Sequence, residues 1–194
     1  MKKESKTKEA IVEAAFTLIS MHGLQGTSLS MIAAKVGISK PAIYHYFPSK
    51  EHLIDHLFHL IFDEHHFSAY FPIDEYTKEN FEKRLVADGL RYVEEYKNSS
   101  PALKVVHEFV LSAVCRPKYE EKLKAMMQHF LEGFDSLLSY GVELGVVSSQ
   151  HTKGNAHILA LVLDNVSNFM MLGVEMNVEE TWELAVRHAM KGRK

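Results

Sequence analysis

Apolar positions recur along this chain at the three-to-four spacing of helices, and no segment shows the convincing alternation of a strand. Ile11, Ala14, Ala15, Leu18 and Ile19 share one face of a segment running from about residue 6 to 22, where Gly23 is expected to stop it. Thr27 or Ser28 can start a short second helix with Ile32, Ala33 and Val36 on one side. Ser39 then caps a third helix, with Pro41 in its first turn and Ile43 and Phe47 facing inward. After Phe47-Pro48, Ser49 caps a long helix over about 50–67, with Leu53, Leu57, Leu60 and Ile61 inward. Phe71-Pro72-Ile73-Asp74-Glu75 breaks the pattern. Further helices are expected at about 77–97, 101–115 (Ser100 capping), 117–142, 153–172 and 178–190. The pattern therefore predicts an all-α fold.

The second and third helices form the most informative pair. Ala33 is small where they would cross closely, and Gly37 supplies the positive φ that a short turn needs. Lys40, Ala42, Tyr44, His45 and Tyr46 then remain on the outer surface of the third helix. A short, rigid, outward-facing helix bearing basic and aromatic groups suits a DNA major groove.

Composition narrows the picture. At 194 residues, 46% hydrophobic and 24% charged, the chain is long enough for a real core in one domain or two small ones. Charge is unevenly divided. Residues 1–50 hold seven lysines against three glutamates, net +4, and the rest holds 15 basic against 22 acidic residues, net −7. A basic head on an acidic body fits a polyanion partner at one end, with the body repelling DNA from the wrong face. Cys115 is the single cysteine, so an internal disulfide is ruled out and a reducing compartment fits. No small-residue cleavage site follows the lysine-rich start, and no uncharged apolar run approaches the roughly 18 residues a bilayer span needs. No membrane partner and a cytoplasmic location are expected.

Ala10-Ile-Val-Glu-Ala-Ala-Phe16, Gly23, Thr27-Ser28, Ile32-Ala33, Gly37-Ile-Ser-Lys40 and Ile43-Tyr-His-Tyr-Phe-Pro-Ser-Lys-Glu51 together resemble the TetR/AcrR family of bacterial transcriptional regulators. The likeness covers about the first quarter of the chain. It implies an N-terminal three-helix helix-turn-helix DNA-binding domain over residues 1–50. A C-terminal helical bundle over 51–194 would bind effector and dimerise. The implied protein is a homodimeric repressor, released from a palindromic double-stranded DNA operator by a small apolar effector. Lys40, Pro41, Tyr44, His45, Tyr46 and Lys50 occupy positions that touch operator DNA in the family. Physical chemistry divides the roles. Lys50 and the N–H groups near Thr27 and Ser28 suit phosphates, the latter through a helix N-terminus. Lys40 suits a phosphate or a guanine edge, while Tyr44 and His45 suit bases, thymine methyls or sugar-phosphate. Pro41 removes a donor where the family often has glycine or another small residue. Tyr46 divides evenly between a core-facing or backbone-facing ring and a base contact. Lys2, Lys3, Lys6 and Lys8 could add phosphate or minor-groove contacts, with a disordered tail the favoured reading.

The helix near 153–172 is apolar on two sides. Leu159, Leu163, Val166 and Met170 make one stripe, and Ile158, Leu161, Val162, Phe169 and Leu172 the other. Such a helix needs cover twice, either within the protein or at a subunit contact. The last helix adds Val178, Trp182, Ala185, Val186 and Ala189. In the resembling family the last two helices pair with their copies, which makes Ile158, Leu161, Val162, Phe169, Trp182 and Val186 the expected dimer interface. The same resemblance turns Phe81, His107, Phe109, Val110, Met126, Met127, Phe130 and Phe134 into candidate effector-pocket residues, with Cys115 nearby. On spacing alone they are ordinary core.

His52, His56, His59, Asp63 and His66 recur every three or four residues, a spacing at which imidazole pairs can chelate Zn²⁺. The stripe lies opposite the leucine face, and four ligands along one straight helix cannot all reach one ion, so solvation, or contact with the first helix, is the expected reading and no metal is expected. His107-Glu108 opens a zinc-protease-like pattern, but Leu111 stands where the second histidine belongs. No Glu-x-x-His pair, Gly-rich phosphate loop, nucleophile elbow or cysteine pair occurs. Neither enzyme activity nor a cofactor is expected.

Overall fold

The computed structural model describes residues 2–62, 66–98, 100–113 and 117–190. Its helices are α1 (Lys2–Gly26), α2 (Leu29–Val36), α3 (Lys40–Tyr46), α4 (Lys50–Phe62), α5 (Phe67–Tyr70), α6 (Phe81–Asn98), α7 (Ser100–Ala113), α8 (Pro117–Glu143), α9 (Thr152–Met171) and α10 (Val178–Met190). A 3-10 turn, Ile73–Glu75, lies between α5 and α6. No strand occurs among the described residues, and no helix there is long and apolar enough to cross a membrane. The all-α class is thus observed.

The chain divides into two compact units. The first comprises Met1–Glu64 and Ser100–Leu123, so α7 and the opening turns of α8 pack with the basic head. Ile11, Ala15, Ile32, Ile43, Leu53, Leu57, Phe58, Val105 and Phe109 form its buried interior. Phe58 sits centrally, 5.3 Å from the Phe109 ring and stacked at 4.8 Å on Tyr119. That seat explains a correction on α4. Leu60, inward by periodicity, is exposed, because Phe58 turns toward α7 and α8 instead. Tyr119 adds a hydroxyl donated to Asp55 at 2.5 Å.

The second unit, His65–Ser99 and Lys124–Lys194, has its own core built on Phe67, Phe71, Tyr76, Phe81, Phe134 and Trp182. Phe67 stacks on Phe71 at 4.9 Å and meets Phe134 edge-on at 4.9 Å. Trp182 is fully buried and donates its indole N–H to the Val86 carbonyl at 3.1 Å. Gly89 gives the indole its seat, since a Cβ there would lie 2.2 Å from the ring. Tyr76 donates to Asp88 at 2.8 Å, and Arg84 and Arg91 each stand 3.3 Å from that carboxylate. Burial, then the adjacent Asp88 charge, holds the Tyr76 phenol far above its usual range.

Gly23 (φ 72°, ψ 169°) breaks the helical backbone within Lys2–Gly26, as expected of the residue that stops the first helix, and a short turn follows it to Gly26. Two other boundaries differ from expectation. α4 is described as Lys50–Phe62, and His66 is extended (φ −95°, ψ 137°) before α5, so the helix does not reach 67. α6 begins at Phe81 because Thr77–Asn80 forms a capping turn, with the Thr77 N–H donated to Asn80 Oδ1 at 2.8 Å.

Candidate nucleic-acid interface

Local chemistry shapes the helix pair within the first unit. Ser28 has extended backbone and its hydroxyl accepts the Met31 N–H at 3.3 Å, starting α2. α2 ends in the paired bonds of a Schellman turn: Ile38 N–H to Ala33 O at 3.0 Å and Gly37 N–H to Ala34 O at 3.3 Å, with Gly37 at φ 76°. Ser39 accepts from Ala42 N at 3.4 Å and Pro41 lies in the first turn of α3, where its missing N–H costs little. Buried Ile43 and Phe47 anchor α3 inward.

The outer side of α3 carries the groups that periodicity assigns to it. Lys40, Pro41, Tyr44 and His45 are all exposed. Tyr46 is half-buried, edge-on to the His45 ring at 5.4 Å. Lys50, also half-buried, donates from Nζ to the Gln25 carbonyl at 3.4 Å, which ties the start of α4 to the chain just before α2. Lys8 lies 5.6 Å from the centre of the Phe47 ring, so this lysine is docked on the head rather than part of a loose tail. Thr27 differs from Ser28. It is 2% exposed, and both its N–H (3.2 Å) and its hydroxyl (2.9 Å) are donated to the Gly23 carbonyl. Thr27 therefore shapes the approach to α2, while Ser28 is at the surface.

Glu108 escaped the sequence reading. Its carboxylate accepts the Leu24 N–H at 2.8 Å across 84 residues of chain, and no local pattern signals such a contact.

The other candidate sets scatter. Phe109 is buried in the first unit's core, with His107 half-buried and Val110 exposed. Phe81 and Phe134 are buried in the second unit's core, Met126 and Phe130 are half-buried, and Met127 is exposed. A cavity of about 790 Å³ opens on the second unit, lined by Phe81, Val86, Val146 and Met190 among charged neighbours including Lys83 and Arg187; Phe81 is the one expected pocket residue in that lining. Cys115 lies outside the described residues. On α9 the stripe of Leu159, Leu163 and Val166 is buried, while Ile158, Leu161, Phe169 and Leu172 are exposed and Val162 half-buried. Trp182 and Val186 are not on that outer face: both are fully buried, because the apolar side of α10 packs on α6 and α9 of its own chain. Leu184, well exposed, is the outward apolar residue of α10.

Among the histidines, His56 lies 5.4 Å from the Phe47 ring, and burial, then Lys8 and His59, lower its pKa. His59 meets Lys122 at 3.1 Å, and His52 meets the Ser49 hydroxyl at 2.9 Å. Among the described residues no group of three or more His, Cys, Asp or Glu is placed to hold a metal ion.

Ser28 opening α2, a tight turn at Gly37 and an outward α3 define the head as a helix-turn-helix domain. The family model for bacterial regulatory proteins of the tetR family matches residues 11–57, from within α1 to within α4. Over that stretch, about a quarter of the chain, the protein is similar to the tetR family of bacterial regulatory proteins. It is 47% identical over 49 residues to the HTH-type transcriptional regulator RutR of Escherichia coli K12, a stretch covering 25% of this chain and 23% of that protein. The chain thus matches about a quarter of the length of the curated relatives it resembles. Solved structures share the fold over nearly the whole chain. A transcriptional regulator from Rhodococcus sp. Rha1 superposes with a TM-score of 0.71 at 17% identity, covering 94% of this chain and 95% of its own. The TetR family regulator PfmR from Thermus thermophilus gives 0.67 at 22% identity, covering 95% and 98%.

Proposed function

We propose that this protein is a homodimeric repressor that reads a palindromic operator in double-stranded DNA. Residues 1–50 would contact DNA, residues 51–194 would carry dimerisation and effector binding, and the protein would work in the cytoplasm. The observation that carries this reading is α3: seven residues, capped at Ser39, anchored by Ile43 and Phe47, and presenting Lys40, Tyr44 and His45 outward. Its basic charge and matched length suit the major groove, with Ser28 and Lys50 directed to phosphates. Dimerisation is supported by the exposed Ile158, Leu161 and Phe169 on α9, by Leu172 at its C-cap, and by Leu184 on α10. Two-fold symmetry then sets the half-sites about one helical turn apart, or a multiple of it. A small apolar effector bound among the middle helices would release the operator, with a coupling of about 1–3 kcal/mol.

Two substitutions separate the roles. Lys50→Ala should weaken binding on every duplex and lower the salt slope by about one. Tyr44→Ala should instead change the preferred base at one position by about 1–3 kcal/mol. Titrations on a panel of duplexes at several salt concentrations read both; identical losses on every duplex for the two variants would refute the assignment.

A further inference from the structure

We infer that Glu108, a residue of α7, is a positioning residue for the DNA-facing start of α2. This rests on the helix-turn-helix reading above and deepens it. The need for such a residue begins at Gly23. Its φ of 72° and ψ of 169° break the helical ladder of α1, so the Leu24 N–H loses its in-helix acceptor. Leu24 is 5% exposed, which denies that donor water as a substitute. The Glu108 carboxylate takes the bond at 2.8 Å, and it brings a negative charge to the start of the helical turn that follows, where a charge of that sign is favoured.

The consequence passes along the next few residues. Gly23 turns its carbonyl to Thr27, which donates to it through both N–H and hydroxyl. Thr27 is therefore fixed, and the next residue is Ser28, whose hydroxyl caps α2. Lys50 holds the same segment at the Gln25 carbonyl. The direction in which α2 presents its first N–H groups is thus set by one contact from far along the chain, at Glu108, and one from α4. Space is tight as well: a Cβ at Gly23 would lie 3.0 Å from Glu108 Oε2. The pattern His107-Glu108, which leads to no zinc site, acquires a purpose here. Because Glu108 stands on α7, a shift of α7 within the first unit would be felt at the phosphate-facing end of α2.

The test uses the full-length protein, with a duplex that wild type enriches from a random pool and an unrelated duplex of equal length. Amide hydrogen exchange at residues 24–28 is followed alongside. Glu108→Ala should speed exchange at Leu24 through Ser28 and weaken binding to both duplexes alike, on the order of tenfold, because a backbone contact carries no base information. Glu108→Gln keeps an acceptor oxygen and should stay within about threefold of wild type. Should Glu108→Ala not fold, Glu108→Asp, which withdraws the carboxylate by one methylene, carries the same expectation as the alanine variant. Unchanged exchange at Leu24, a selective loss on one duplex, or a glutamine variant as weak as alanine would each overturn the inference. If wild type enriches no duplex, the DNA reading fails, and the exchange comparison still decides whether Glu108 holds this turn.

Discussion

Among individual residues, the polar groups that matter most are those buried with a defined partner. Asp88 is 7% exposed and survives burial because Tyr76, Arg84 and Arg91 surround it. A carboxylate in that position would otherwise carry a heavy desolvation cost. Removing the Tyr76 hydroxyl subtracts one charge-assisted bond and leaves the ring's packing on Phe81 in place. Tyr76→Phe should therefore cost about 1–3 kcal/mol in urea denaturation. A loss below about 0.5 kcal/mol would mean that the arginines alone satisfy Asp88. Thr27 and Ser28 make the same point at the head. They are adjacent and chemically alike, yet one hydroxyl is spent on Gly23 and the other caps a helix.

For helices and turns, the features legible in the sequence are those written locally. Ser28 and Gly37 start and stop α2, and Ser39 starts α3, through bonds spanning three to five residues, with Pro41 in the first turn of α3, so their spacing alone announces them. The two-sided character of α9 is legible for the same reason. What periodicity does not specify is the neighbour that covers a stripe. Trp182 and Val186 lie on the expected apolar side of α10, but that side belongs to the protomer's own core. Phe58 displaces Leu60 from the inward face because Phe109 and Tyr119, more than 50 residues away, receive it. Glu108 is the extreme case, since nothing near it in sequence hints at Leu24. α4 also carries a pH-dependent contribution. His56 has its pKa lowered by burial, then by Lys8 and His59, so the folded state holds it neutral where the unfolded chain would protonate it. Its contribution is full above the unfolded value of about 6.5 and declines as pH falls below it. Comparing denaturation at about pH 7.5 and about pH 5.5, His56→Gln should lose less stability on acidification than wild type. Equal losses would assign the acid sensitivity elsewhere.

Across the full chain, the division of charge and of apolar surface defines two tasks. The +4 of residues 1–50 sits with the helix pair, and the exposed apolar stripe lies on α9. Leu161 at 57% exposed and Leu172 at 74% are costly to leave in water, which favours a second copy as their cover. A dimer built there would present two copies of α3 related by a two-fold axis, and a symmetric reader selects a symmetric sequence. Whether paired, geometry-fixed helices read DNA is decided by selection from a pool of random duplexes with the purified full-length protein. The expected outcome is an enriched inverted repeat whose half-site centres lie one helical turn apart or a multiple of it; recovery of no common sequence, or of a single unrepeated half-site, would sink the dimeric DNA-reading role.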